Sequence, residues 1–219
     1  MSDIAIIIPS RLNAKRLPNK PLKLINNKEM IIHVHDLAKK ANVGEVIVAT
    51  PDQKIYDLVR KHGGLAEITE ENHETGTDRI FEVFEKKLEK KPKIIINFQG
   101  DMPNLNSSEI QDLVTHMKNY ECDIGTLASD LKVDKEEKDP NVVKVLVADS
   151  LDKKIFSNAI DFFRVSNNRL KNNTYHHVGI YAFTNKALMR YVGLKRSELE
   201  IKRKLEQLRA LENKMKINV

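Results

Sequence analysis

Residues 94–103 read IIINFQGDMP, and this stretch decides the fold. The run Lys93–Ile96 is mostly β-branched and apolar with no polar alternation, which predicts a strand over Lys93–Phe98 that is buried on both faces of a parallel sheet. Ligands of open α/β sheets bind just beyond the carboxyl ends of the strands. Asp101 is therefore a candidate for holding a divalent cation against phosphate oxygens. An ordinary turn is the competing interpretation, because Gly, Asp and Pro are common turn residues.

The composition is that of a globular protein with one sizeable core. The chain has 219 residues, of which 41% are hydrophobic and 31% are charged, so it can form one core or one core with a smaller subdomain. No apolar run has the length of a transmembrane helix, no signal peptide precedes the first strand, and a lone Cys122 cannot form an internal disulfide. We therefore expect a cytoplasmic protein without a membrane partner.

The net charge of +6 is compatible with scattered solvated lysines, with a small anionic substrate or with nucleic acid. Aromatic residues make up only 5% of the chain and tryptophan is absent, which disfavours a surface for stacking bases. We therefore expect no nucleic-acid partner.

A loop rich in proline and basic residues follows the first predicted strand, Ile4–Ile8. Arg11, Arg16 and Lys20 lie within ten residues of one another in this loop. Arginine offers a fork of donors and lysine a point charge, so the loop is a candidate cradle for a polyphosphate. It has no Gly-rich phosphate-binding signature, and a solvated basic loop is the alternative interpretation.

Helical and strand patterns then alternate. Helices are predicted over Glu29–Lys40 and Gln53–His62, and strands over Glu45–Ala49 and Leu65–Ile68. The polar stretch that follows ends in Thr75-Gly76-Thr77-Asp78-Arg79, where Thr77 is predicted to cap a helix running to about Lys90. Its hydroxyls, backbone N–H groups and arginine can face a ligand, although a helix start with no further role explains them equally well.

The second half of the sequence has a different pattern. A helix over Asn106–Lys118 and a strand over Asp123–Leu127 precede strands that lack long helices between them, which predicts antiparallel additions to the sheet or a small flap subdomain. These later strands are predicted over Val142–Ala148, Lys154–Ser157 and Tyr175–Phe183, with an irregular loop over Asp161–Thr174. Near the end, a short helix over Asn185–Tyr191, one longer helix over Ser197–Leu211 and a strand beginning at Lys214 are predicted.

Four motifs occur in a fixed order along essentially the whole chain. They are IIIPSRLNAKRLPNKPL, HETGTDR, NFQGDMP with a later NVVKV, and HHVGIYAF followed by LEIKRKLEQLRALENKMKI. Together they resemble the 3-deoxy-manno-octulosonate cytidylyltransferases, also called CMP-Kdo synthetases. The resemblance implies an α/β fold with a mostly parallel, Rossmann-like sheet, helices on both faces and a smaller β-rich part for sugar binding and dimerisation. It implies a single domain, with residues 1–130 binding nucleotide and residues 131–219 binding sugar.

The resemblance also implies a reaction. CMP would pass from CTP to Kdo when the anomeric hydroxyl of Kdo attacks the α-phosphorus, and pyrophosphate would leave. Mg²⁺ would be the cofactor, the product would serve lipopolysaccharide biosynthesis, and the protein would be a homodimer. Such a transfer needs in-line positioning and neutralisation of charge more than covalent help from the protein.

The positions that match the family motifs receive roles by the same resemblance. Arg11, Lys20 and Asp101 would be catalytic, with Asp101 as the magnesium ligand. The nucleotide would contact Arg11, Arg16, Lys20, Thr75, Gly76, Thr77, Arg79 and Gln99. The sugar would contact Gln99, Arg164, His177, Tyr181, Glu206 and Gln207. For His177 and Tyr181 core packing is the alternative interpretation.

Departures from the family pattern leave a second function open. The family continues with a strand and a segment like VDTPEDL, whose Asp completes the metal site, whereas this sequence ends at Val219. Asn158 stands where the family has Arg, and Asp52 stands one place after the Asp of a family loop. The alternative is a truncated or degenerate nucleotide-binding homologue with little or no catalysis.

Overall fold

The computed structural model describes residues 3–13, 17–151, 156–165 and 172–219, apart from the side chains of Val133 and Asp134. Two compact units are distinguished by their internal contacts, residues 1–114 and residues 115–219. No helix in the described ranges has both the length and the apolar character needed to cross a membrane.

The first unit alternates strands and helices. Its strands are β1 (Ile4–Pro9), β2 (Leu24–Ile25), β3 (Lys28–Glu29), β4 (Glu45–Thr50), β5 (Leu65–Ile68) and β6 (Ile94–Phe98). Its helices are α1 (Met30–Ala41), α2 (Gln53–Lys61), α3 (Gly76–Lys86) and most of α4 (Ser107–Asn119), with a 3₁₀ turn over Lys20–Leu22. The predicted strands at β1, β4, β5 and β6 and the predicted helices at α1, α2 and α4 are confirmed, whereas α3 differs at both ends and the short β2 and β3 were not predicted.

A parallel sheet in the order β6-β1-β4-β5 forms the core of this unit. Ile6 of β1 pairs with Val46 on one side and with Ile96 on the other. Every residue of β1 and β6 is buried, and α1, α2 and α3 pack against the sheet. The uninterrupted apolar runs are explained by this double burial, and the predicted fold class is confirmed.

Helix α3 begins and ends earlier than the sequence predicts. Its N-cap is Thr75, whose hydroxyl accepts from the backbone N–H of Asp78 while the Asp78 carboxylate accepts from the backbone N–H of Thr75. The predicted cap Thr77 is wrong, because its hydroxyl is buried and accepts from Asn97 instead. The helix stops at Lys86 because the ammonium of Lys91 folds back onto the last carbonyl groups, including that of Phe84 at 2.7 Å.

The second unit is mainly antiparallel, as predicted. Its strands are β7 (Ile124–Ser129), β8 (Lys144–Val147), β9 (Ala159–Phe163), β10 (Thr174–Thr184) and β11 (Ile217–Asn218), and its helices are α5 (Val133–Glu136), α6 (Asn185–Gly193), α7 (Glu198–Arg203) and α8 (Gln207–Glu212). β10 pairs antiparallel with β7 and β8, β8 pairs antiparallel with β9, and the short β11 runs parallel to β7.

One predicted strand of this unit is misplaced. Lys154 and Ile155 lie outside the described residues, and Phe156 and Ser157 are not in a strand. The strand is β9, Ala159–Phe163, which overlaps the start of the predicted irregular loop. Phe162 is fully buried and pairs with Val145 of β8, so tertiary burial of one aromatic ring decides the position of this strand.

The predicted single helix over Ser197–Leu211 is divided into α7 and α8. Ser197 does cap α7 in a capping box with Glu200, as its spacing predicts. The break is at Lys204, whose φ of 55° is left-handed. It allows Arg209 to turn back onto Glu200, with both N–O distances at 2.8 Å. In a continuous helix, residues nine positions apart lie about 13 Å apart along the axis, too far for an ion pair.

Candidate active site

A cleft of about 250 Å³ opens beyond the carboxyl ends of β1 and β6 in the first unit. Most of the predicted nucleotide and metal residues line it: Arg11, Lys20, Thr75, Gly76, Arg79, Gln99 and Asp101. Arg16 lies outside the described residues. The topology accounts for this gathering, because parallel strands end at the same edge of the sheet and α3 starts there.

Two glycines allow the backbone to line this cleft closely. A Cβ on Gly100 would lie 2.9 Å from the carbonyl oxygen of Pro9, which is a collision with backbone. A Cβ on Gly76 would lie 3.2 Å from the ring of Pro9 and 3.4 Å from the side-chain amide of Gln99. Both positions therefore favour glycine, since any other residue would require a local shift.

A salt bridge joins two predicted catalytic residues across the mouth of the cleft. The Nζ of Lys20 lies 2.8 Å from Oδ2 of Asp101, with 35% and 52% of their side chains exposed. Arg11 is exposed at the same edge. Burial, followed by the charge of Arg11, lowers the pKa of the Arg79 guanidinium, which places these two arginines near each other. The cleft thus combines three cations with two exposed carboxylates, those of Asp101 and Glu74.

Arg79 holds the cleft wall. It is buried, and its guanidinium donates to the Thr69 hydroxyl and to the carbonyl oxygens of Glu70 at 2.8 Å and Glu71 at 3.2 Å. These contacts use its donors on protein groups, so the geometry supports a positioning role for Arg79 more than direct binding of phosphate.

Thr77 and Gln99 belong to a hydrogen-bonded chain that links α3 to β6. The amide of Gln99 donates to Oδ1 of Asn97 at 3.2 Å, and the amide of Asn97 donates to the hydroxyl of Thr77 at 3.0 Å. Asn97 and Thr77 are buried, whereas Gln99 lines the cleft. Of these predicted contacts, the structure places only Gln99 where a ligand would reach it.

Sequence reasoning gave no role to His73. His73 lines the cleft and lies 2.7 Å through Nε2 from Oε2 of the buried Glu82. The signal available was its position at the start of the HETGTDR motif. Asp52 is tied to the basic loop, since its carboxylate accepts from the backbone N–H of Leu12 at 2.8 Å; periodicity cannot reveal that contact.

Two exposed carboxylates line the cleft, those of Asp101 and Glu74, and Asp101 is the one predicted to bind a divalent cation. Among the described residues no three His, Cys, Asp or Glu side chains converge as a metal cluster. Asp101 is half exposed and beside the cationic loop, so it fits a cation whose other ligands are phosphate oxygens and water, as is usual for Mg²⁺.

The predicted sugar-contacting strand β10 places His177 inside the second unit. Its Nε2 lies 2.9 Å from the hydroxyl of Thr126, and its ring packs edge-on against Phe162 at a centroid distance of 5.0 Å. Burial lowers the pKa of His177 to about 3, so the ring is neutral. Tyr181 is also buried, and burial together with Glu206 raises its pKa. These surroundings support core packing for His177, and its predicted sugar contact stays a prediction.

Arg164 follows β9 and donates to the carbonyl oxygens of Pro140 at 3.0 Å and Asn141 at 3.4 Å. Its own carbonyl oxygen accepts from the ammonium of Lys144 at 2.6 Å, and that ammonium also donates to Asp139 and Val142. Lys144, in the NVVKV motif, is fully buried and was missed as a framework residue. The main-chain position of Arg164 is thus fixed from two sides.

Glu206 and Gln207 begin α8, and the surrounding contacts hold this turn in place. The hydroxyl of Tyr191 donates to the carbonyl oxygen of Glu206 at 2.9 Å. Arg209 pairs with Glu200 and lies over the ring of Tyr191 at 4.6 Å. Gln207 is 5% exposed. The LEQLR motif therefore contributes both the predicted sugar residues and the arginine that anchors their helix.

A parallel sheet with a cationic, glycine-lined cleft beyond its strand ends defines a nucleotide-binding α/β protein of the nucleotidyltransferase class. The profile of the family described as Cytidylyltransferase matches residues 5–217, and the chain belongs to this family.

Two relatives that the chain resembles are also named as cytidylyltransferases. The chain is 40% identical over 215 residues to the 3-deoxy-manno-octulosonate cytidylyltransferase of Bartonella tribocorum, covering 98% of this chain and 88% of the relative. It is equally 40% identical over 215 residues to the enzyme of that name from Brucella canis, covering 97% of this chain and 85% of the relative.

Two solved structures have folds similar to that of this chain. CMP:2-keto-3-deoxy-manno-octonic acid synthetase in complex with CTP superposes with a TM-score of 0.86 at 35% identity, covering 99% of this chain and 88% of that chain. A cytidylyltransferase from Leptospira borgpetersenii shares the fold alone, with a TM-score of 0.62 at 15% identity over 99% of this chain and 75% of that one.

Proposed function

We propose that this protein transfers CMP from CTP to 3-deoxy-manno-octulosonate (Kdo), giving CMP-Kdo and pyrophosphate for lipopolysaccharide biosynthesis. The observation that carries the proposal is the 40% identity, over nearly the whole chain, to cytidylyltransferases named for this substrate. The cleft supports it, because a triphosphate needs cations and a carboxylate for metal at one place, and the cleft is lined by both.

In this proposal the triphosphate lies beside the basic loop and the N-terminus of α3. Arg11 and Lys20 neutralise charge on the phosphate oxygens, and the positive end of the α3 helix dipole, at Gly76, faces the same cleft. Arg79 acts behind them by fixing residues 69–71.

Lys20 exchanges partners when substrate binds. Without ligand it pairs with Asp101, but an ion pair this exposed contributes only about 0–1 kcal/mol, so breaking it costs little. The ammonium then turns to phosphate and the carboxylate becomes available to a cation. The pair keeps both groups in the cleft before substrate arrives.

We propose Mg²⁺ as the cation, with Asp101 as its protein ligand. When bound it would neutralise charge on the phosphate oxygens during attack at the α-phosphorus. The chain's own part is to orient the triphosphate and to position the acceptor hydroxyl in line. Kdo would meet the predicted sugar residues Gln99, Arg164, His177, Tyr181, Glu206 and Gln207, with residues 131–219 as the sugar-binding part and residues 1–130 as the nucleotide-binding part.

We further propose a cytoplasmic homodimer. CTP is a cytoplasmic nucleotide, and the second unit exposes apolar side chains suited to a partner surface: Ile160 at 53%, Val165 at 50% and Ile201 at 55%. Light scattering of the purified chain measures this directly, and a monomer at micromolar concentration would contradict it.

Pyrophosphate release from CTP with Mg²⁺, measured with and without Kdo, tests the reaction. We expect Kdo-dependent release by the wild type, and loss of at least about 100-fold in kcat for Asp101→Asn with CTP binding retained. Asp112→Asn, an exposed carboxylate on α4, is the matched control and should behave as wild type. CTP binding without any release would favour the degenerate nucleotide-binding homologue, and near-normal turnover by Asp101→Asn would refute the metal role.

A further inference from the structure

His73 lines the cleft, but none of the proposed steps uses it. Its side chain is 15% exposed, so most of the ring is packed while part of it faces solvent. Nε2 is held by Glu82 at 2.7 Å. Nδ1 has no hydrogen-bond partner in the described parts of the chain. It is also not among the buried, unpartnered polar atoms of those parts, so it remains accessible to solvent.

Glu82 stands behind His73 as an ionised carboxylate. Its side chain is only 9% exposed, and Oε2 accepts both from the His73 ring and from the backbone N–H of Glu70 at 2.9 Å. Lys86 lies 3.5 Å from Oε1. Burial by itself raises the pKa of Glu82, but the bonds from His73 and Glu70 and the charge of Lys86 outweigh it, so the net pKa is lowered.

The carboxylate determines which ring nitrogen of His73 carries the proton. An ionised carboxylate can only accept, so Nε2 must donate and carries the hydrogen. In the imidazole with one ring proton, Nδ1 is then a lone-pair acceptor. Such an atom pairs with a hydroxyl or an amino group, and it would repel a phosphate oxygen, which is also an acceptor.

The wall that presents His73 is rigid. Arg79, Glu82 and Lys86 lie at helical spacing on one side of α3, and each bonds the segment before His73: Arg79 to the carbonyls of residues 70 and 71, Glu82 to the N–H of Glu70, and Lys86 to the carboxylate of Glu70 at 3.0 Å. Two buried charges, Arg79 and Glu82, and the exposed Lys86 thus hold a single segment at the cleft.

We propose that His73 is a nucleotide-binding residue whose Nδ1 accepts a hydrogen bond from the nucleoside half of the substrate, the cytosine amino group or a ribose hydroxyl. Glu82 is the positioning residue that fixes the required tautomer. The inference rests on the proposed function, since it assigns a contact to the nucleotide of that same cleft.

Two substitutions separate the two ring nitrogens. His73→Gln places an amide where Nε2 lies, so it still donates to Glu82 but has no counterpart of Nδ1. His73→Asn places a polar atom near Nδ1 but does not reach Glu82. Glu82→Gln keeps a hydrogen bond and removes the charge that fixes the proton. His62→Gln is the matched control, because His62 is exposed at the end of α2 and its ring bonds the carbonyl oxygen of Leu58 in its own helix.

Calorimetric titration with CTP and with CMP, both with Mg²⁺, is the measurement. For His73→Gln we expect the Kd of both nucleotides to rise about 3- to 10-fold, the loss of one neutral hydrogen bond, with an unchanged melting temperature. His73→Asn should lower the melting temperature and keep more of the affinity. Glu82→Gln should weaken binding with His73 still present. In turnover assays His73→Gln should raise the KM for CTP and leave kcat near wild type.

Two results would overturn the inference. If His73→Gln bound both nucleotides as the wild type does, His73 would only hold the loop. If His73→Gln weakened the binding of CTP but not that of CMP, the contact would be to the phosphates that only CTP carries. A wild type that binds neither nucleotide would instead contradict the proposed function itself, so the two failures are distinguishable.

Discussion

At the scale of single residues, Asp52 joins two parts of the chain that are 40 residues apart. It follows β4, and its carboxylate accepts from the backbone N–H of Leu12, the residue after Arg11. Its backbone N–H is in turn held by the hydroxyl of Thr50 at 3.1 Å. The basic loop therefore leaves the sheet in a direction that Asp52 fixes, although Asp52 does not line the cleft.

Replacing Asp52 should affect nucleotide affinity more than folding. In Asp52→Ala the N–H of Leu12 loses its partner, and we expect the KM for CTP to rise about 3- to 10-fold as the loop loosens. Asp52→Asn keeps a side-chain oxygen as acceptor and should lie within about twofold of wild type. Steady-state kinetics measure both. An equal rise in the KM for CTP in both variants would show that the charge of Asp52, and not its bond to Leu12, matters.

The cap of α3 shows what residue types alone can establish. The motif with two threonines indicated a capped helix at a ligand-binding edge, and the structure has both. Which threonine caps was predicted wrongly, because Thr77 finds a partner on β6 in Asn97, and a contact between distant residues leaves no local signal. For the same reason Arg79 was assigned to the nucleotide while its donors are used by residues 69–71.

At the scale of elements, the turn between α7 and α8 depends on one left-handed residue. Lys204 has φ of 55°, a conformation that glycine adopts without steric cost. Lys204→Gly should therefore raise the free energy of unfolding by up to about 1 kcal/mol. The same change at Lys202, inside α7, should lower it by about 1 kcal/mol. Urea denaturation of both variants checks the opposite signs; a loss of stability at both positions would contradict the role given to Lys204.

Sequence periodicity predicts where strands and helices lie, but it does not predict where a helix is interrupted. The buried parallel strands were predictable because burial on both faces imposes an unbroken apolar run, as in β1 and β6. The division of one predicted helix into α7 and α8 was not, since Arg209 and Glu200 both suit a helix and only their ion pair requires a turn between them. The position of β9 likewise depended on where Phe162 is buried.

At the scale of the whole molecule, burial of a neutral histidine makes stability depend on pH. The pKa of His177 is about 3 in the folded protein, against 6.5 for a solvated histidine such as that of the unfolded chain, so between these two values only the unfolded chain gains a proton. The free energy of unfolding therefore falls as pH drops from 6.5 toward 3, by on the order of 5 kcal/mol in all from this one group. The neighbouring His176 acts on the pKa of His177 in the same direction as burial.

Replacing His177 separates its contribution to the pH dependence of stability from the contribution of the acidic residues. His177→Gln can still donate to Thr126 but does not titrate, so the stability gap between wild type and variant should narrow as pH falls from 7 to 4.5. Urea denaturation at several pH values measures the gap, and His62→Gln serves as control. A gap that stays constant with pH would show that His177 takes up a proton as readily in the folded protein as in the unfolded chain.

Lys144 has a consequence for chemical labelling. Its ammonium is fully buried and donates to three carbonyl oxygens, at 2.6, 2.7 and 3.0 Å, so all of its hydrogens are engaged. Amine-reactive reagents attack the free, deprotonated amine and need access to it, and they should modify the surface lysines long before this one. The rate at which Lys144 becomes acetylated, followed by mass spectrometry, would then measure how often the second unit opens.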